Sequence, residues 1–258
     1  VEVAPPLPFK IGVNIALHPI INRFFLIFIY NNDIIISMKP KRIFLIRHGE
    51  SQGNVDENVY KNTPDYAVLL TDKGKNQAQK SAETIKDIIG LEEYGIYYSP
   101  YFRARQTMDN ALQILNIALC KFKKEEPRIR EQEYSGYLRD IGKHAFEKER
   151  EAYGKFFYRL DGGESGADIW DRTSDFIGTM HRDFNKENFP ENVLIFTHGM
   201  AMRIFIMRFF KFTVEEFEMW KNPKNGEIYI LELQENNKYK LMTEIAKHPK
   251  PYGKIYNV

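Results

Sequence analysis

Two short apolar runs in this chain end alike, and the repetition limits what it can fold into. Arg42–Ile46 (RIFLI) runs into Arg47-His48-Gly49, and Val193–Phe196 (VLIF) runs into Thr197-His198-Gly199. Short apolar runs bounded by polar residues read as buried strands. A third, Gly95–Tyr98 (GIYY), stops at Ser99-Pro100, and Arg103 and Arg105 open the helix that follows. In open α/β sheets, ligands bind beyond the carboxyl ends of the strands. Arg47, His48, Arg103 and His198 are thereby expected at one sheet edge.

The intervening segments are helical. Thr71 reads as the N-cap of a helix carrying Ala78, Ala82, Ile85 and Ile89 at helical spacing, with Gly90 closing it. Helices are also expected from Arg103 to about Lys121, over 144–160, over 167–184, over 200–210, and after Thr213. The stretch between Cys120 and Arg139 is polar and irregular, as for an excursion over a surface. Two late alternating runs, 227–233 and 239–244, predict an antiparallel pair joined at 235–237. The fold class is therefore α/β: a three-layer α/β/α sandwich with a mostly parallel central sheet and an antiparallel addition.

Residues 1–37 stand apart. Ile20–Tyr30 is apolar but interrupted by Asn22 and Arg23, too short for a confident membrane span and without a signal-peptide exit. The preferred reading starts the domain at Met38, with 1–37 a non-native or disordered leader. A membrane anchor, or an extra element packed on the domain, is the alternative. Residues 38–258 are expected to form one catalytic domain.

Charge and cysteine narrow the chemistry. With 37 Lys and Arg against 35 Asp and Glu, no basic excess asks for nucleic acid. The one cysteine, Cys120, excludes an intramolecular disulfide and Cys-rich metal sites. Scarce cysteine and the discounted leader suggest a cytoplasmic protein with no membrane partner. Arginines can clamp phosphoryl oxygens, a helix N-terminus adds backbone donors, and a neutral imidazole can act as nucleophile. Taken singly, His48 or His198 could be a hydrogen-bonded core-edge histidine, and Arg103 a solvated helix residue. Zinc lacks an accompanying ligand triplet.

The segment Arg47-His48-Gly49-Glu50-Ser51 resembles the signature of the histidine phosphatase superfamily, in its phosphoglycerate mutase-like branch. Further matches follow in the family's order: Leu70-Thr71-x-x-Gly74-x-x-Gln77-Ala78, Ser99-Pro100-x-x-Arg103-Ala104-x-Gln106-Thr107, Arg128-x-x-Glu131 and Thr197-His198-Gly199. The resemblance implies that His48 is transiently phosphorylated and that Arg47, Arg103 and His198 complete the phosphate pocket. It implies that Ser51 and Asn54 contact or order the phosphate, with Gly199 beside them, and that Glu131 donates a proton to the leaving oxygen. Glu133 is the alternative donor. Gly162-Gly163-Glu164-Ser165 resembles a family element that is either substrate-facing or a turn with an N-cap at Ser165. Tyr60, Tyr66 and Tyr134 are candidates for the substrate mouth, while His18, His144, His181 and His248 are expected at the surface or in packing.

Neither a metal nor a cofactor is implied, and the expected partner is a small phosphorylated substrate, with a homodimer allowed. Mutases of the family continue from the signature into Trp-Asn, whereas Gly53 stands at that tryptophan's place here. The stretch Gly53–Thr71 instead resembles a plant and fungal mutase-like group that includes a broad-range acid phosphatase. Hydrolysis of a small phosphate monoester is therefore expected ahead of mutase activity, a phosphoprotein substrate, or a non-catalytic binding role.

Overall fold

The computed structural model describes residues 26–30, 33–37, 39–134 and 146–253. Two units separate, 1–36 and 37–258. In the first, β1 (Leu26–Tyr30) pairs with β2 (Asp33–Ser37), which runs just past its boundary, in a two-stranded sheet. The remainder of the expected leader lies outside the described residues.

The second unit is built on a six-stranded sheet, in the order β5-β4-β6-β3-β7-β8. Its strands are β3 (Arg42–Arg47), β4 (Tyr94–Tyr98), β5 (Cys120–Glu125), β6 (Asn192–Thr197), β7 (Ile228–Leu233) and β8 (Tyr239–Leu241). The first four run parallel, and β7 and β8 add antiparallel at the β3 side. Alternation along the central strands sends side chains to both faces. Ile43, Leu45, Val193 and Ile195 join one core with Ile169, Phe176 and Met180 of helix α5 (Gly166–Asp183) and Phe205 of α6 (Gly199–Phe210). Phe44, Ile46, Leu194 and Phe196 join the other, with Ala82 and Ile85 of α2 (Asp72–Ile89) and Met108 of α3 (Phe102–Ala111). A sheet buried on both faces explains why its strands are continuous apolar runs. The three-layer α/β/α expectation is met.

Local signals act as anticipated at most ends. The Thr71 hydroxyl accepts the Gly74 N–H at 3.0 Å, and Gly90 closes α2 at φ 57°. Ser165 and Thr213 cap α5 and α7 (Val214–Glu218) in the same way. Three expectations need correction. Helix α3 ends at Ala111 rather than near Lys121, because Asn116 caps a short 3₁₀ turn, Ile117–Leu119, that leads into β5. The described residues 126–134 are irregular apart from a 3₁₀ turn, as expected, but Cys120–Glu125 is a strand. It is an edge strand whose Lys121, Lys123 and Lys124 blunt further pairing, so it lacks a hydrophobic run. The helix expected over 144–160 is α4 (Glu147–Tyr153), stopped at Gly154 with φ 107°. Between α1 (Gln52–Val55) and α2 the chain makes two 3₁₀ turns, Glu57–Lys61 and Asp65–Ala67.

The loop after β3 lies backbone to backbone against the start of α2. A Cβ on Gly49 would stand 2.8 Å from the Gly74 carbonyl carbon, and one on Gly74 would stand 2.9 Å from the Glu50 nitrogen. A Cβ on Gly178, inside α5, would meet only the flexible end of Arg182, at 3.6 Å. Gly74→Ala is expected to destabilise the protein by about 1–3 kcal/mol through overpacking. Gly178→Ala is expected to stabilise it by up to about 1 kcal/mol, through helix propensity. Urea unfolding of the two variants checks this, and effects of the same sign would contradict the close approach.

Candidate active site

The register of β3 on β6 sets Arg47 opposite Thr197, and the His48 N–H donates to the Thr197 carbonyl at 2.9 Å. Both histidines therefore leave the sheet side by side, with ring centroids 5.2 Å apart and both rings buried. His48 Nδ1 lies 2.7 Å from the Gly49 carbonyl oxygen. A carbonyl only accepts, so Nδ1 carries the proton and Nε2 the lone pair. The Gly49 N–H in turn donates to Thr107 Oγ1 at 3.0 Å, and the Glu50 N–H to Gln77 Oε1 at 2.8 Å. Thr107 and Gln77 thus hold the loop that orients His48.

His198 Nε2 forms a 2.7 Å hydrogen bond with Ser99 Oγ, while Nδ1 is buried without a partner among the described residues. Burial, then the nearby Arg103 and His48, hold its pKa well below the ordinary value, so the ring is neutral. Arg103 opens α3 and donates through Nη1 to Asp65 at both the carbonyl oxygen (2.7 Å) and Oδ1 (2.8 Å). Burial alone would lower the Arg103 pKa, but Asp65 reverses this and raises it. Arg47 donates to the Pro223 carbonyl, and burial lowers its pKa despite the Glu131 carboxylate facing it.

A cavity of about 450 Å³ opens on this edge. Arg47, His48, Asn54, Arg103 and Glu131 line it together. Ser51, His198 and Gly199 do not; they are buried behind the wall. Ser51 donates from N–H and hydroxyl to Asn54 Oδ1, each at 3.1 Å, which places it as an orienter of Asn54. Glu131 lies on the cavity, whereas Glu133 is exposed with its N–H donating to Glu164 at 3.0 Å. Tyr60 and Tyr134 line the mouth, while Tyr66 is exposed against Phe102.

Glu164 bridges Arg172 and Arg130, and Arg172 donates to the carbonyls of Arg128, Arg130 and Glu131. Its role here is to brace the segment that carries Glu131, rather than to face substrate. His248 is half-buried and packed on Tyr252, as expected, and it also borders the cavity. His18 and His144 lie outside the described residues. Asp65, Arg150, Lys155, Arg203 and Asn222 also line the cavity and were not anticipated. Only Arg203 carried a signal, as a charge inside the mostly apolar helix GMAMRIFIMRFF.

Residues 43–244 match the family model described as histidine phosphatase superfamily, branch 1. The chain belongs to the histidine phosphatase superfamily. Phosphoglycerate mutase-like protein AT74 of Arabidopsis thaliana is 39% identical over 214 residues, covering 78% of this chain and 68% of the relative. Broad-range acid phosphatase DET1 of Saccharomyces cerevisiae is 26% identical, covering 81% of this chain and 90% of the relative. Among solved structures, a mycobacterial glucosyl-3-phosphoglycerate phosphatase complexed with VO3 superposes with a TM-score of 0.61 at 16% identity, covering 80% of this chain and 99% of that one. That likeness bears on the fold alone. In this histidine phosphatase, no helix among the described residues is long and apolar enough to cross a membrane.

The neutral state of His198 has a consequence for stability. An unfolded chain protonates this histidine below about pH 6.5, whereas the folded one resists it. Its contribution is therefore fully present above that pH and lost as pH falls below it. Urea unfolding at about pH 7.5 and about pH 5.5 should show a loss on acidification that is smaller in His198→Gln, the difference being at most about 1.4 kcal/mol per pH unit. Equal losses in the two proteins would contradict the buried neutral ring.

Proposed function

We propose that this protein hydrolyses a small phosphate monoester without a metal ion, through a phosphohistidine on His48, in the cytoplasm. The observation that carries the reading is the 2.7 Å contact of His48 Nδ1 with the Gly49 carbonyl, which leaves Nε2 as the nucleophilic nitrogen beside Arg47 and Arg103 on one cavity wall. Nε2 attacks phosphorus in line, forming the N–P bond as the ester P–O bond breaks. Arg47 and Arg103 stabilise the charge on the equatorial oxygens, and neutral His198, buried behind the wall with its ring 5.2 Å from His48, backs the phosphate pocket. Glu131 acts as the general acid that gives a proton to the departing oxygen, since an alkoxide leaves poorly without one. Water then attacks the phosphohistidine, the same carboxylate takes up its proton, and inorganic phosphate leaves. Membership of the superfamily and the acid-phosphatase relative support hydrolysis.

A mutase reading draws on the Arabidopsis relative, and one assay separates the two. Purified protein is given a panel of monoesters without metal and scored for phosphate release and for isomer formation. Phosphate release is expected, falling roughly a thousandfold or more in His48→Ala. Glu131→Gln should lose roughly a hundredfold or more on alkyl phosphates, and much less on p-nitrophenyl phosphate, whose leaving oxygen needs no proton. Isomer formation without net phosphate release would overturn hydrolysis in favour of the mutase. Equal losses on both ester types would remove Glu131 from proton donation.

A further inference from the structure

The loop between α1 and α2 places Asp65 on the cavity, where it meets Arg103. Pro64 leads into the 3₁₀ turn Asp65–Ala67, and the turn brings a backbone and a side-chain oxygen of Asp65 to one nitrogen. Arg103 Nη1 donates to the Asp65 carbonyl at 2.7 Å and to Oδ1 at 2.8 Å. Nη2 lies 3.5 Å from Oδ2, at the limit of a hydrogen bond. Nη1 has two N–H groups, so Asp65 takes both. What is left is Nε and Nη2, a parallel pair on one edge of the guanidinium, which matches two oxygens of a phosphoryl group.

This contact is built into the fold. Arg103 is 4% exposed, and the Asp65 loop is fastened to α3, the helix that carries Arg103. Beside the ion pair, Tyr66 meets Phe102 edge-on at 6.0 Å, and the Leu70 N–H donates to Gln106 Oε1 at 2.8 Å. Val68 and Leu70 of the same loop are buried. A carboxylate can swing aside for an incoming phosphate, but the Asp65 carbonyl moves only with this whole loop. A long arginine side chain without such a partner would have to be ordered by substrate at each turnover.

We propose that Asp65 is a positioning residue: by holding Nη1 it fixes the Arg103 guanidinium with its Nε–Nη2 edge left for the phosphoryl oxygens. In this role Asp65 acts through Arg103 and does not itself bind the phosphoryl group. The inference rests on the phosphohistidine reading above for what Arg103 does, and goes beyond it by naming what sets the geometry of that arginine.

The test measures kcat/KM for p-nitrophenyl phosphate in Asp65→Ala, which removes the side-chain acceptor, and in Asp65→Asn, which removes the charge but keeps an acceptor. Asp65→Ala should lose about tenfold or more, and Asp65→Asn should recover most of that loss. Asp65→Ser, whose hydroxyl is too short to reach Nη1, should match Asp65→Ala and stands in for it if that protein does not fold. Introduced into Arg103→Gln, the Ala and Asn variants should differ by less than about threefold, because the group they act through is gone. An Asp65→Ala protein as active as the wild type overturns the proposal, and so does an Asp65→Asn protein no better than Asp65→Ala. A gap between Ala and Asn that persists in Arg103→Gln also overturns it, and assigns Asp65 to loop stability. Titration with orthovanadate reads the same pair without turnover. Asp65→Ala should bind it about tenfold more weakly than Asp65→Asn, and equal affinities contradict the positioning role. If the wild type releases no phosphate, the hydrolytic reading fails and the vanadate comparison still decides the role of Asp65; if it also binds no vanadate, both fail.

Discussion

The parallel pairing of β3 with β6 is the constraint on which the site depends. Its register places Arg47 opposite Thr197, so the chain turns out of both strands at the same height. The next residue in each strand is a histidine, and the His48 N–H bond to the Thr197 carbonyl carries the ladder one step beyond the sheet. β4 repeats this on the other side of β6, where the Ser99 N–H donates to the Phe196 carbonyl and the Ser99 hydroxyl meets His198. A slip of one residue would turn each apolar strand residue to the opposite face and part the two imidazoles. Two separate cores, one on each sheet face, oppose such a slip.

Much of what holds the loop after β3 in place is contributed by residues that do not line the cavity. Gln77, Thr107 and Gln106 accept backbone N–H groups of Glu50, Gly49 and Leu70. Each satisfies a donor that would otherwise be buried or misdirected. Arg172 does the same for three carbonyls ahead of and at Glu131, with Glu164 as its counter-ion. In the proposed mechanism a carboxylate that delivers a proton on one side of a reacting phosphorus needs such support, because small displacements are expensive in rate.

The parts of the fold that were legible in the sequence are those governed by local chemistry: apolar strands buried on both faces, N-caps at Thr71, Ser165 and Thr213, and the glycine at Gly90. β5 was not legible, because an edge strand with lysines along it lacks the hydrophobic run that marks its neighbours. At the site, Arg47, His48, Asn54, Arg103 and Glu131 could be named from motif and strand-end position. Asp65 could not, since its pairing with Arg103 joins residues 38 apart through a loop of 3₁₀ turns with no periodic pattern. Arg150 and His248 are likewise brought to the cavity only by tertiary packing. Arg203 is the intermediate case, a charge conspicuous in an apolar helix but with no partner legible in the sequence.

The central claim is that His48 carries the phosphoryl group between substrate and water. Rapid acid-free quenching during turnover of a radiolabelled phosphate monoester tests it directly, followed by peptide mapping. The account predicts label on His48, labile in acid, stable in base and absent from His48→Ala. Turnover with no labelled enzyme, or label on any other residue, would contradict it.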